Sequence, residues 1–242
     1  MSSEENTPPA SDTPTWGPMR SFGRIKSRTL KPRQAGLFET LLPEIELTDH
    51  RVEAIRAGTR DGASELWLEI GFGGGEHLAG QAERNPQALI LGFEPFLNGV
   101  GSLLRHVDER GLKNVRVLAD DARPVIDRLA EASVDKVFIL FADPWPKARH
   151  HKRRFIQTET LDAFARVMKD GARLRFATDW ADYADWTLEK VTAHPDFDWP
   201  AQSQADWNTP PADHLTTRYE EKKLGDCAPV FLDFYRKARA AS

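Results

Sequence analysis

The chain has 242 residues, 40% of them hydrophobic, enough for one sizeable core and one domain with extensions. No run of about 18 uncharged apolar residues occurs, which excludes a membrane-spanning helix, and Cys227 is the only cysteine, which excludes an internal disulfide. The formal net charge is −4, but Arg20–Arg33 holds six basic and no acidic residues, and Lys147–Arg154 holds five more beside two histidines. With those eleven set aside, 22 of the 33 Lys and Arg remain against 37 acidic residues, so two cationic islands sit on an acidic body and point to a polyanionic partner.

The first 18 residues, "MSSEENTPPASDTPTWGP", have neither a basic region nor an apolar core. Their Ser, Thr, Pro and acidic content predicts a disordered tail, no signal peptide and a cytoplasmic protein. Residues 19–60 then read as a basic extension, placed to contact the polyanion.

Five strands are expected next: 65–72 ("ELWLEIGF"), 88–94 ("ALILGFE"), 115–120 ("VRVLAD"), 134–143 ("VDKVFILFAD") and 172–179 ("ARLRFATD"). Several are nearly continuous apolar runs, as parallel strands covered on both faces require. Helical stripes lie between them: Phe96, Val100, Leu103, Leu104, Val107; then Leu161, Phe164, Ala165, Met168; then Trp180, Tyr183, Ala184, Thr187, Val191. The alternation predicts an α/β fold, a doubly wound, mostly parallel sheet of the Rossmann-like kind, over 61–242. A last strand, "VFLDFYRK" (230–237), follows a long polar stretch and is expected to be antiparallel.

In such sheets ligands bind outside the carboxyl ends of the strands. Those ends carry Glu69, Glu94, Asp120 with Asp121, Asp143 and Asp179. Helix capping is the plainer account for Asp121 and Asp179, but a whole rim of carboxylates exceeds what caps need. No metal is expected, because neither histidines nor closely spaced aspartates accompany them.

The turn after the first strand reads Glu69-Ile70-Gly71-Phe72-Gly73-Gly74-Gly75-Glu76. A dinucleotide fingerprint needs a sixth-position glycine at the helix N-terminus, where Glu76 would oppose a pyrophosphate. No Gly-Lys-Ser/Thr follows, so this is no P-loop. S-adenosylmethionine (SAM) presents an ammonium, a sulfonium and a ribose, all of which suit acidic surroundings. Gly71 and Gly73 are therefore expected to pass close to SAM. Glu94 is placed for its ribose hydroxyls, Asp121 for the adenine amino group and Glu69 for the methionine portion.

The most specific stretch is "DPWPKARHHKRR", Asp143–Arg154. Two prolines around Trp145 stiffen a loop at the pocket mouth, and a stiff carboxylate beside a flat ring suits gripping guanine. With "RSFGR", "EIGFGGGEHL", "GFEP" and the late "TTRYEEKKLG", this stretch resembles the bacterial tRNA (guanine-N7-)-methyltransferase family, in the same order from about Arg20 to the C-terminus. Ala148 departs from the pattern, at a place where relatives often carry another cation.

The resemblance implies a class I SAM-dependent fold and methylation of guanosine N7 in the variable loop of tRNA. It implies SAM contacts at Glu69, Glu94, Asp121 and Asp143, and substrate contacts at Lys147, Asp179, Thr217, Arg218, Tyr219 and Glu220. The basic run adds Arg149, Lys152, Arg153 and Arg154 as RNA contacts, with His150 and His151 on the same surface. Guanine N7 has an in-plane lone pair and no proton, so no general base is needed and positioning by Asp143 is expected to carry the reaction. No obligate protein partner is implied. The alternatives are a methyltransferase of DNA or protein amino groups, an RNA-binding protein without chemistry, and an NAD oxidoreductase.

Overall fold

The strands form where apolar and β-branched residues cluster in short runs. A computed structural model describes residues 29–240, so the tail 1–18 and most of the first cationic island lie outside the described residues. In chain order the elements are α1 (Pro32–Thr40), α2 (Leu42–Ile45), α3 (Asp49–Arg56), β1 (Glu65–Ile70), α4 (Glu76–Arg84), β2 (Ala88–Phe93), α5 (Leu97–Arg110) and β3 (Val115–Leu118). They continue with α6 (Arg123–Arg128), β4 (Val134–Leu140), a 3-10 helix (Ala148–Arg153), α7 (Thr158–Val167), β5 (Met168–Thr178) and α8 (Ala181–Ala193). The last are β6 (Phe197–Asp198), α9 (Ala205–Asn208), α10 (Arg218–Lys222) and β7 (Val230–Arg236).

These strands make one seven-stranded sheet in the order β3-β2-β1-β4-β5-β7-β6, parallel except for β7, which runs antiparallel to β5 and β6. The order reverses between β1 and β4, which opens a crevice at their carboxyl ends. All six expected strands are present. The two-residue β6 was not foreseen, and Met168, expected on a helical stripe, instead begins β5.

One apolar layer packs α3, α6, α7 and α8 against one sheet face around Leu68, Leu91, Ile139, Phe164, Phe176 and Tyr183. The other packs α1, α4 and α5 around Trp67, Leu78, Ile90, Leu103 and Phe138. The described part of the 19–60 extension is integral to both, through Leu37 and Ile45 on one side and Leu47, Val52 and Ile55 on the other. No described helix is long and apolar enough to cross a membrane.

Candidate active site

The glycine turn is shaped by its backbone. Gly73 has φ +56°, a left-handed conformation that side chains resist, and a Cβ there would stand 2.7 Å from Cε2 of Tyr219. On its other side the turn rests against α5, where a Cβ on Gly99 would lie 2.2 Å from the Gly73 carbonyl oxygen. Glu94 fixes the turn from the end of β2: its Oε2 accepts the Gly73 N–H at 2.8 Å and its Oε1 the Phe96 N–H at 2.9 Å. Glu76 folds back over the first turn of α4, its carboxylate oxygens 2.4 and 2.5 Å from where a Gly74 Cβ would be. The helix N-terminus that would attract a pyrophosphate thus already carries a carboxylate.

A cavity of about 390 Å³ opens at the switch point, lined among others by Gly71, Gly73, Glu94, Asp121, Asp143 and Tyr219. Ile70, Phe93, Phe141 and Trp145 supply its apolar walls. Burial pushes the Glu94 carboxyl up to about 7, against the pull of its two backbone hydrogen bonds. Burial also raises the Asp143 pKa. Asp143 is exposed at the cavity, with enough protein close to its carboxylate to desolvate it in part. It makes no hydrogen bond or ion pair with any described residue. Tyr219 is 42% exposed, and its hydroxyl is shifted upward by burial and by the charges of Glu94 and Asp143.

The loop after β4 is strained where it meets this cavity. Phe141 and Trp145 adopt φ of +52° and +45°, conformations that concentrate at functional sites in non-glycine residues. Trp145 is held edge-on by His150, with ring centroids 6.0 Å apart, and the Arg153 guanidinium lies 4.9 Å from its ring. Asp121 accepts the Arg123 N–H at 3.0 Å, and its other oxygen lies 3.5 Å from the Arg123 guanidinium. Its carboxylate thus satisfies the N–H of the first residue of α6, as the capping reading expects, and is held in place there by Arg123.

The carboxylates do not form one ring. Glu69 is buried below the turn, where its Oε2 meets Nδ1 of His77 at 2.7 Å, and it is not among the cavity-lining residues. Asp179 accepts the Gly225 N–H at 2.8 Å rather than capping α8. It lines a second cavity of about 560 Å³, together with Thr216, Glu220, Gly225 and Cys227. Thr217 and Glu220 form a capping box on α10: the Thr217 hydroxyl accepts the Glu220 N–H at 3.2 Å, and Glu220 Oε2 accepts the Thr217 N–H at 3.4 Å. Arg218 is exposed, 3.8 Å from Glu76.

The cationic run divides. Lys147, Arg149 and Lys152 are exposed on the 3-10 helix or just before it. Arg154 corrects the expectation: it is 1% exposed, donates to the Pro144 carbonyl at 2.8 Å, pairs with Asp182 and packs over Tyr183 and Trp186. A guanidinium so enclosed cannot meet a phosphate. His151 also turns inward, 3.4 Å from Asp182 and edge-on to Trp186.

Comparison with known proteins agrees with this geometry. The family described as "Putative methyltransferase" matches residues 63–231. A tRNA (guanine-N(7)-)-methyltransferase of Caulobacter vibrioides (strain NA1000 / CB15N) is 61% identical over 220 residues, 91% of this chain and 96% of that protein. The protein of the same name from Hyphomonas neptunium is 48% identical over 216 residues, 89% of this chain and 99% of that one. The chain belongs to the tRNA (guanine-N7)-methyltransferase family.

A solved 16S rRNA (adenine(1408)-N(1))-methyltransferase from Catenulisporales acidiphilia shares the fold, with a TM-score of 0.53 at 15% identity, covering 81% of this chain and 98% of that one. Sequence reasoning missed three residues that organise this family member's site. His77 is 2% exposed and ties Glu69 to Gln81; its only signal was a histidine in the first turn of a helix that starts after the glycines. Arg123 holds Asp121, and an arginine two residues after an aspartate was a faint signal. Gly99 permits the close approach of α5, and nothing in "FLNGVG" singled it out.

Proposed function

We propose that this methyltransferase moves the methyl group of SAM to N7 of a guanosine in the variable loop of tRNA. One observation carries the reading: the acid-lined cavity at the switch point ends at Asp143, and the exposed cations Lys147, Arg149 and Lys152 follow within the same loop. A cationic methyl donor and a polyanion are thereby brought side by side.

The residues present fit SAM. Carboxylates and apolar walls line the cavity, and Glu76 already occupies the position a pyrophosphate would need. Glu94 would accept from the ribose hydroxyls and Asp121 from the adenine amino group, while the backbone at Gly71 and Gly73 passes alongside. Glu69 lies beneath the turn, bonded to His77, and does not face the cavity.

The donor supplies an electrophilic methyl, and guanine N7 supplies a lone pair without a proton to lose. Transfer forms the N–C bond as the C–S bond breaks, and the positive charge passes to the base. Asp143 orients guanine by accepting from its N–H groups and favours that charge in a partly desolvated place. Asp179 and Glu220 hold the nucleotide from the second cavity, Thr217 caps the helix that carries Glu220, Tyr219 lines the first cavity, and Arg218 turns toward phosphate. Residues 61–242 carry the catalytic and donor-binding groups, residues 37–55 complete their core, the cations before residue 34 add a further RNA contact, and the reaction takes place in the cytoplasm.

The discriminating experiment offers tRNA, DNA and protein to the chain with methyl-labelled SAM. Label confined to tRNA supports the reading. Label on DNA or protein amino groups, or SAM binding without turnover on any substrate, defeats it.

A further inference from the structure

A strap of chain, residues 209–217, leads into α10 and is fastened to the sheet by polar groups that the reaction itself does not use. Asp213 is the anchor: its two oxygens take the Arg173 and Arg175 guanidinium groups at 2.7 and 2.5 Å. Arg175 is 1% exposed and is held on its other side by both oxygens of Asp233 at 2.7 Å. Burial alone would raise the Asp213 pKa, but the arginine hydrogen bonds prevail and hold it well below the usual carboxylate range. The Asp213 carbonyl also accepts from Gln81 of α4 at 2.8 Å, and Leu215 fills the notch left by Gly80, where a Cβ would meet it at 2.5 Å.

His214 is the next residue along this anchored strap. Its side chain is 8% exposed, and its ring packs edge-on against Phe231 of β7, with centroids 4.8 Å apart. Its Nε2 lies 2.8 Å from Glu220 Oε2. The Thr217 N–H reaches that same oxygen, so both hydrogen bonds that the Glu220 carboxylate receives from described residues fall on Oε2. A carboxylate gripped by one oxygen has a set orientation, and Glu220 lines the second cavity.

We infer that His214 is a positioning residue for tRNA methylation: anchored through Asp213, it orients the Glu220 carboxylate toward the substrate nucleotide. Nothing in this role touches the donor or the reacting atoms. It rests on the proposed contact between Glu220 and the substrate, so the experiment separates the two.

The test is steady-state methylation of unmodified tRNA by the full chain, with SAM titrations and thermal unfolding of each variant. Glu220→Ala raises the KM for tRNA. His214→Ala raises it roughly tenfold, the effect of losing one hydrogen bond to a charged group, while kcat and the SAM Kd stay within about twofold. The double variant is no worse than Glu220→Ala alone. Glutamine carries its Nε2 as many bonds from the backbone as histidine does, so His214→Gln recovers most of the loss. His214→Asn reaches only the Nδ1 position and does not. That contrast decides the matter if the alanine variant does not fold. A wild-type KM in His214→Ala, equal behaviour of the Gln and Asn variants, or full additivity with Glu220→Ala overturns the positioning role. A wild-type KM in Glu220→Ala overturns the substrate contact itself, and the role of His214 with it.

Discussion

Glu94 holds Gly73 in its left-handed turn by accepting its N–H at 2.8 Å, and it does so from a position that raises its own pKa to about 7. The carboxylate that shapes the donor turn is therefore only partly ionised near neutrality. Hydroxyl donors and a cation favour its charged form, so ligand binding and proton release are linked.

The sign follows from that linkage. SAM should bind roughly tenfold more weakly at about pH 6 than at about pH 8, because at the lower pH the Glu94 proton must first be displaced. Its share of fold stability runs the other way: it is present below the ordinary value of 4.5 and is lost as pH rises through about 7. Calorimetric titration at the two pH values checks the first point, and a pH-independent Kd contradicts it.

Asp143 has no partner among the described residues and faces the cavity. Asp143→Ala should lower kcat by roughly a hundredfold or more, with a melting temperature no lower than that of the wild type. Wild-type turnover in the folded variant removes the assignment.

The cations of the basic run should separate into two behaviours. Arg154→Ala empties a buried site against Tyr183 and Trp186 and takes the donor from the Pro144 carbonyl, and should cost about 3 kcal/mol of stability. Lys152→Ala should leave the melting temperature unchanged and reduce the log–log salt slope of tRNA binding by roughly 0.7 to 0.9. Thermal unfolding and binding across a salt series read both.

Gly99→Ala would push a Cβ to 2.2 Å from the Gly73 carbonyl. The backbone there cannot yield without moving the turn, so stability should fall by about 1–3 kcal/mol and SAM affinity with it. Unaltered SAM binding in this variant would show that the turn tolerates displacement.

Much of this architecture was legible because its cause lies in the chain itself. The six longer strands are apolar runs of strand length, and the acidic positions at their ends follow from the parallel topology. Two residues are too few to show a strand pattern, so Phe197–Asp198 was not visible. Met168 continues the spacing of α7, and no glycine or proline marks the point where the helix passes directly into β5. Where a side chain turns is a tertiary matter. Glu69 and Asp143 look alike at their strand ends, yet one is buried against His77 and the other faces the cavity. Arg154 and Lys152 share a cationic run, but a tight helical turn sends one to the core and the other to solvent.

The central claim is that Asp143 and the acid-lined cavity place a methyl donor against guanine N7. Mass spectrometry of nucleosides from unmodified tRNA, after incubation with SAM and either the wild-type chain or Asp143→Ala, tests it most directly. The account predicts 7-methylguanosine with the wild type and little or none with the variant. Methylation at another base or position, or equal yields of 7-methylguanosine from both proteins, would contradict it.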